Sequence, residues 1–246
     1  MKKLSLIDNS LDSLEVGIRF YIEDNTKHAI LNVFHSIELL LKERVARECN
    51  ILIFRDNHKR LIDQKSQTVG FDEILVLFKN LDIHLDDDKI KILRHLKDQR
   101  NDITHFEYTP NVSDKDNLGL ALKFIKTFMD EHLNLQLEDQ VEESLYQEIE
   151  EIVDSFEERY SRALKVAKDL VKPKTKDDLC DFRSISDCPE CFTPTLVVVS
   201  GEGECTLCKE QFQVDQCSYC GEYSNDVDSG MLMCDYCREK IWSRDD

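Results

Sequence analysis

Four Cys-x-x-Cys pairs close the sequence: "CPEC" at 188 and 191, "CTLC" at 205 and 208, "CSYC" at 217 and 220, and "CDYC" at 234 and 237. Each pair turns two sulfurs toward one point, and two pairs supply the four thiolates that tetrahedral zinc takes in a closed structural site. Thirteen residues separate the first pair from the second, and 13 separate the third from the fourth. That equal spacing predicts two sequential sites rather than an interleaved, RING-like arrangement. Between the first two knuckles, "TPTLVVVSGEGE" alternates apolar and small residues as a short hairpin does, so each unit is expected to be a zinc ribbon. A segment of about 60 residues buries too little apolar area to fold alone, and metal binding offsets the deficit. Iron in a rubredoxin-like site would use the same ligands, whereas a catalytic zinc would keep an open position that four cysteines do not leave. Two structural zinc ions and no catalytic metal are expected, held by Cys188, Cys191, Cys205 and Cys208 and by Cys217, Cys220, Cys234 and Cys237.

Of the ten cysteines, only Cys49 precedes residue 180. A reducing cytosol favours metal binding over disulfides, and Cys49 and Cys180, outside both quartets, read as free thiols. The segregation marks a boundary. We expect a helical domain over 1–172, a linker over 173–186 that begins in "PKTKDD", and tandem ribbons over 187–246. Seven glycines and four prolines in 246 residues favour helices over strands in the first part. The fold class is therefore mainly α, an antiparallel helical bundle followed by a small β-containing zinc-ribbon domain.

Helices are predicted for "LDSLEVGIRFYIED" from Leu11, for "KHAILNVFHSIELLLKERVAREC" after the N-cap types Asn25 and Thr26, for "FDEILVLFKNL", for "DDDKIKILRHLKDQRNDITHF" and for "DNLGLALKFIKTFMDEHLN". The three aspartates that open the fourth suit the positive end of a helix dipole. From Leu137 to Leu170, apolar residues recur at steps of three and four, which predicts a single helix of more than 30 residues with a narrow seam, packed on the bundle or on its twin in a dimer. Residues 50–66 are less regular and carry Arg55, His58, Lys59, Arg60 and Lys65, a local basic patch read as a solvated loop.

A formal charge of -18 opposes general affinity for nucleic acid or anionic membrane, so any RNA contact must be local. The start, "MKKLSLIDNS", has no apolar run suited to a signal peptide or membrane span, and a soluble cytoplasmic protein is expected. From residue 171 onward, 8 Lys/Arg face 16 Asp/Glu, which makes protein contact or substrate gating by the tail at least as natural as a grip on RNA.

The stretch "LKDQRNDITHFEY" holds the candidate chemistry. Leu93, Leu96, Arg100 and Ile103 follow helical steps, so a guanidinium shares an apolar stripe and needs a carboxylate or a phosphate as partner. In the earlier helix Leu31, Phe34, Glu38, Leu41 and Val45 share a stripe in the same way, which makes Glu38 the internal partner for Arg100. Asn101 and His105, four apart, would meet on one face, where the amide can fix the imidazole's tautomer. Spacing by itself favours a structural role for these residues. The other histidines, His28, His35, His58, His84, His95 and His132, show no metal-like clustering and read as surface or core residues.

"RNDITH" resembles the Arg-[Asn/Asp/His]-x-x-x-His motif of the HEPN family, and "HAILNVFHSIELLLKERV" is similar to that family's first long core helix, Glu38 included. The resemblance spans roughly residues 10–170. It implies an all-helical, usually dimeric bundle whose catalytic members are metal-independent endoribonucleases of toxin–antitoxin, CRISPR and other antiviral systems. By matching position, Arg100 and His105 would be catalytic, Asn101 and Glu38 supporting. RNA brings its own nucleophile, the 2′-OH, so cleavage needs a base, an acid and positive charge on the nonbridging oxygens. A second His105 brought across a two-fold interface would complete the acid–base pair in a composite site. The expected partners are an RNA substrate, a second copy of the chain, and an antitoxin or other defence-system protein. The alternative reading is a non-enzymatic helical adaptor whose ribbons recruit a protein or nucleic-acid partner.

Overall fold

The computed structural model describes residues 5–55, 66–106, 108–111, 113–172, 183–199, 201–220, 223–224, 233–234 and 237–238. Of the residues singled out above, His58, Lys59, Arg60, Lys65 and Cys180 lie outside them. The chain forms two compact units, Met1–Phe156 and Glu157–Asp246.

The first unit is helical. Helix α1 spans Leu6–Ile22 and starts five residues earlier than its apolar pattern suggests, because Ser5 and Asp8 cap it reciprocally: Asp8 N donates to Ser5 Oγ at 3.0 Å and Ser5 N to Asp8 Oδ2 at 3.1 Å. A short turn with Asp24 in the left-handed region leads to α2, Thr26–Cys49, whose N-cap Asn25 accepts from His28 N. The two helices approach closely. A Cβ on Gly17 would lie 2.8 Å from Val33 Cγ2, and the buried Ser10 hydroxyl reaches the Ser36 carbonyl at 2.9 Å. Helices α3 (Phe71–Asn80), α4 (Asp87–His105), α5 (Ser113–Leu133) and α6 (Glu143–Leu170) follow. Leu14, Ile18, Ile37, Leu40, Leu41, Ile74, Leu93, Leu122 and Ile125 are wholly buried in one core to which every one of these helices contributes.

The expected continuous helix from Leu137 is broken. Asn134 adopts a left-handed conformation after α5, Leu137–Asp139 form a 3-10 turn that buries Leu137, and α6 begins only at Glu143. The irregular stretch after α2 also gains structure. Asn50–Ile53 form a 3-10 turn and Phe54 bridges Thr68, with Arg55 N donating to Gln67 O at 3.0 Å.

The second unit begins inside α6, at Glu157, rather than at the expected boundary after residue 172. The reason is local: the Thr206 hydroxyl donates to Ala163 O at 2.8 Å, and Ala163 and Ala167 are buried, so the last turns of α6 belong with the first ribbon. Four antiparallel strands form its sheet in the order β1 (Arg183–Ser186), β2 (Leu196–Val199), β3 (Glu202–Cys205) and β4 (Gln211–Gln213). Strand β1 occupies the end of the expected linker, pairing Arg183 with Val199 and Ser186 with Leu196. The register of β2 and β3 sets Leu196 opposite Cys205, and Gly201, at φ 94°, supplies the left-handed residue of their hairpin. Strands β5 (Asp215–Gln216) and β6 (Tyr223–Ser224) make a second, two-stranded sheet. Among the described residues no helix is long and apolar enough to cross a membrane.

Candidate active site and metal centres

The eight knuckle cysteines assemble as two groups, Cys188, Cys191, Cys205 and Cys208, and Cys217, Cys220, Cys234 and Cys237, with the sulfurs of each within 4.8 Å of one another. Sequential pairing is thus what the chain adopts. Four thiolates at about 2.3 Å from a tetrahedral zinc would stand about 3.8 Å apart. The Sγ atoms of Cys188 and Cys208 are 3.6 Å apart, those of Cys191 and Cys205 3.6 Å, and those of Cys220 and Cys234 3.9 Å. The spacing fits a metal and is far from a disulfide. Hydroxyls of Thr193 and Thr195 lie 3.1 Å from the sulfurs of Cys191 and Cys205, and Cys234 N donates to Cys217 Sγ at 3.3 Å. Such donors favour the thiolate; backbone N–H groups, that of Cys234 foremost, bring the Cys217 thiol down to about 6. Among the described residues of the first ribbon, Leu196, Val198 and Val214 join the buried cysteines as a core with Leu207 and Phe212 packed against it, little apolar area for so many ordered residues. Both quartets therefore fit structural zinc, with no ligand position left open for chemistry.

In the first unit, the buried stripe of α4 is Leu93, Leu96 and Ile103, and Arg100 falls on it. Its guanidinium is held from two sides. Nη2 donates to Glu38 Oε2 at 3.3 Å, Nη1 donates to Asn101 Oδ1 at 2.9 Å, and Cζ stands 5.5 Å from the centroid of the Phe34 ring. Glu38 and Phe34 both come from α2, so the close packing of α2 against α4 places a carboxylate and an aromatic face where the arginine needs them. The Glu38 side chain is 13% exposed and that of Arg100 32%. The two bonds use two of five guanidinium N–H donors, and the remainder can be offered to an anion from solvent.

His105, the last residue of α4, is exposed. The expected bond from Asn101 is not made: the amide oxygen engages Arg100, and among the described residues the imidazole has no side-chain hydrogen bond. Five residues along a helix correspond to about 140° of rotation and about 7.5 Å of rise. Arg100 and His105 of one chain therefore face different sides of α4. The segment after His105 is tied down by Asp114, buried at the start of α5, which accepts from Gln99 Nε2 at 2.5 Å, from Asn111 N at 2.8 Å and from the Tyr108 hydroxyl. Burial and that last bond push the Tyr108 phenol upward.

Two residues that spacing alone does not connect with Arg100 feel its charge. His35 and Lys42 lie three residues before and four after Glu38, on the same face of α2. Lys42 Nζ donates to Thr68 Oγ1 at 3.2 Å, and beyond it Arg55 pairs with Glu73 at 2.8 Å. Desolvation lowers the Lys42 ammonium, with Glu38 opposing and Arg100 adding to the shift. The Glu73 carboxyl is held below its usual range, chiefly by the Gly70 N–H and then by Arg55. Of the remaining histidines, His28 contacts Asn25 Oδ1 at 2.9 Å, His95 contacts Asn117 Nδ2 at 2.9 Å, His132 stacks on Phe128, and His84 sits exposed 3.5 Å from Asp86. Comparison of the chain with family models, with curated proteins and with solved structures finds no match.

Proposed function

We propose that the protein is a metal-independent endoribonuclease of HEPN type, with Arg100 stabilising the scissile phosphate and His105 moving a proton. The observation that carries this reading is the state of Arg100: a guanidinium anchored by Glu38, Asn101 and Phe34, yet one third exposed and with donors to spare. An arginine placed only to support the fold would be expected to spend its donors internally. Positive charge fixed in advance at the nonbridging oxygens is the largest contribution that such a site can make. Because Arg100 and His105 of one chain face different sides of α4, the site is completed by a second copy related by a two-fold axis, which brings its own His105 beside the first chain's Arg100. The 2′-OH attacks in line, giving a 2′,3′-cyclic phosphate and a 5′-hydroxyl. The zinc ribbons hold their own fold and offer a surface for a protein partner or for control of access, in keeping with a toxin or an antiphage effector.

Incubating the purified protein with mixed RNA and with DNA of the same sequence, in EDTA, tests the proposal. RNA is cut with cyclic-phosphate ends, DNA is spared, and Arg100→Ala and His105→Ala abolish the cut. A specific observation favours a second reading: with a charge of -18 and a doubly acidic tail, the chain repels a polyanion at long range. Protein that is folded and dimeric, cuts no RNA and captures a defence-system protein through its ribbons would establish the adaptor instead.

A further inference from the structure

We infer that His35 is the general base of the Arg100 site, taking the 2′-OH proton of the nucleotide whose phosphate Arg100 of the same chain holds. The inference rests on the nuclease reading and adds to it a residue that the arginine–histidine motif does not contain. His35 is exposed, so a substrate can reach it. It precedes Glu38 by one helical turn, and Glu38 bonds Arg100; its sequence neighbour Phe34 lies beneath the guanidinium. Among the described histidines it shares with Glu38 the face of α2 that meets Arg100, whereas His105 is carried about 140° away from Arg100 around α4. The charged groups that act on it are Glu38 and Lys42 of its own helix and Arg100 of α4. Desolvation lowers it, Glu38 opposes, and the two cations lower it further, so the ring is neutral near pH 7 and can accept a proton.

In the reaction the neutral His35 ring takes the proton from O2′ as the O2′–P bond forms. The P–O5′ bond breaks, and O5′ leaves with a proton given by the partner subunit's His105. Both imidazoles then return to their starting forms by exchange with water. One His105 per site is enough, because the base comes from α2.

The test compares wild type, His35→Ala and His35→Gln on an RNA oligonucleotide in EDTA over a range of pH, with and without free imidazole. His35→Ala is expected to slow cleavage about 100-fold, to lose the acidic limb of the pH profile, and to recover in part when imidazole is supplied, while RNA binding is retained. His35→Gln, which keeps a polar side chain at an exposed position, should be equally slow and fold normally. Cleavage by both variants within about 3-fold of wild type overturns the inference and leaves the nuclease reading standing. A loss that keeps the acidic limb and is not rescued overturns it too, since that marks a structural role. If the wild type cuts no RNA, both fall together.

Discussion

Gly17→Ala places two effects of opposite sign in competition where α1 packs on α2, the helix that carries His35 and Glu38. Alanine is the better helix former by about 1 kcal/mol, so helix propensity alone predicts a gain. The structure predicts a loss. The added Cβ would stand 2.8 Å from Val33 Cγ2, 3.2 Å from Val33 N and 3.3 Å from Ala29 O. Two of those three atoms are backbone, so rotating Val33 cannot relieve the crowding and the helices must part. Overpacking of this kind costs about 1–3 kcal/mol. The net expectation is destabilisation by up to about 2 kcal/mol, a fall of up to roughly 8 °C in Tm for a chain of this size. Urea denaturation followed by the helical circular dichroism signal measures it. Val33→Ala costs stability by itself, yet added to Gly17→Ala it should cost less, because the closest clash is with the atom it removes. A Gly17→Ala variant more stable than wild type, or additive costs in the double variant, would refute the close approach of the two helices.

Wild type should bind two zinc ions per chain and Cys188→Ser one, since each quartet is built from consecutive knuckles; elemental analysis that finds both ions lost from Cys188→Ser would point to shared ligands. His95 is depressed to about 4 by burial. The folded protein therefore binds fewer protons than the unfolded chain below about pH 6.5, and stability present above that value is lost as pH falls toward 4. At about 1.4 kcal/mol per pH unit the loss approaches 3 kcal/mol, and His95→Gln should show a correspondingly shallower decline between pH 7 and 4.5 in denaturant titrations. Equal slopes would mean that His95 is solvated.

The cysteine spacing made the two quartets legible because a tetrahedral ion would leave little freedom to two Cys-x-x-Cys turns. Periodicity likewise revealed the helices and the stripe that sets Glu38 against Arg100, since a charge among Leu93, Leu96 and Ile103 demands a partner. What periodicity could not reveal was where α1 starts and where α6 starts. The first depends on two polar side chains capping each other, Ser5 and Asp8, and the second on Leu137 turning inward on a 3-10 turn. Strand β1 is not legible in the sequence, because its residues show no apolar alternation and stay only half-buried. His35 and Lys42 were hidden for another reason. They flank Glu38 at helical spacing, but only the packing of α2 on α4 brings that face within the electrostatic influence of Arg100. Asn101 was assigned to His105 by the same spacing rule, and the nearer guanidinium took its oxygen instead.

In the proposed nuclease the guanidinium and the proton-donating imidazole at one scissile phosphate come from different subunits. Mixing and re-equilibrating Arg100→Ala with His105→Ala protein tests it most directly. Each variant alone is inactive, and random pairing makes half of the dimers mixed, each with one intact site, so the mixture should recover about a quarter of wild-type cleavage. A mixture as inactive as its components, beside a wild type that cuts RNA, would rule out a site shared between subunits.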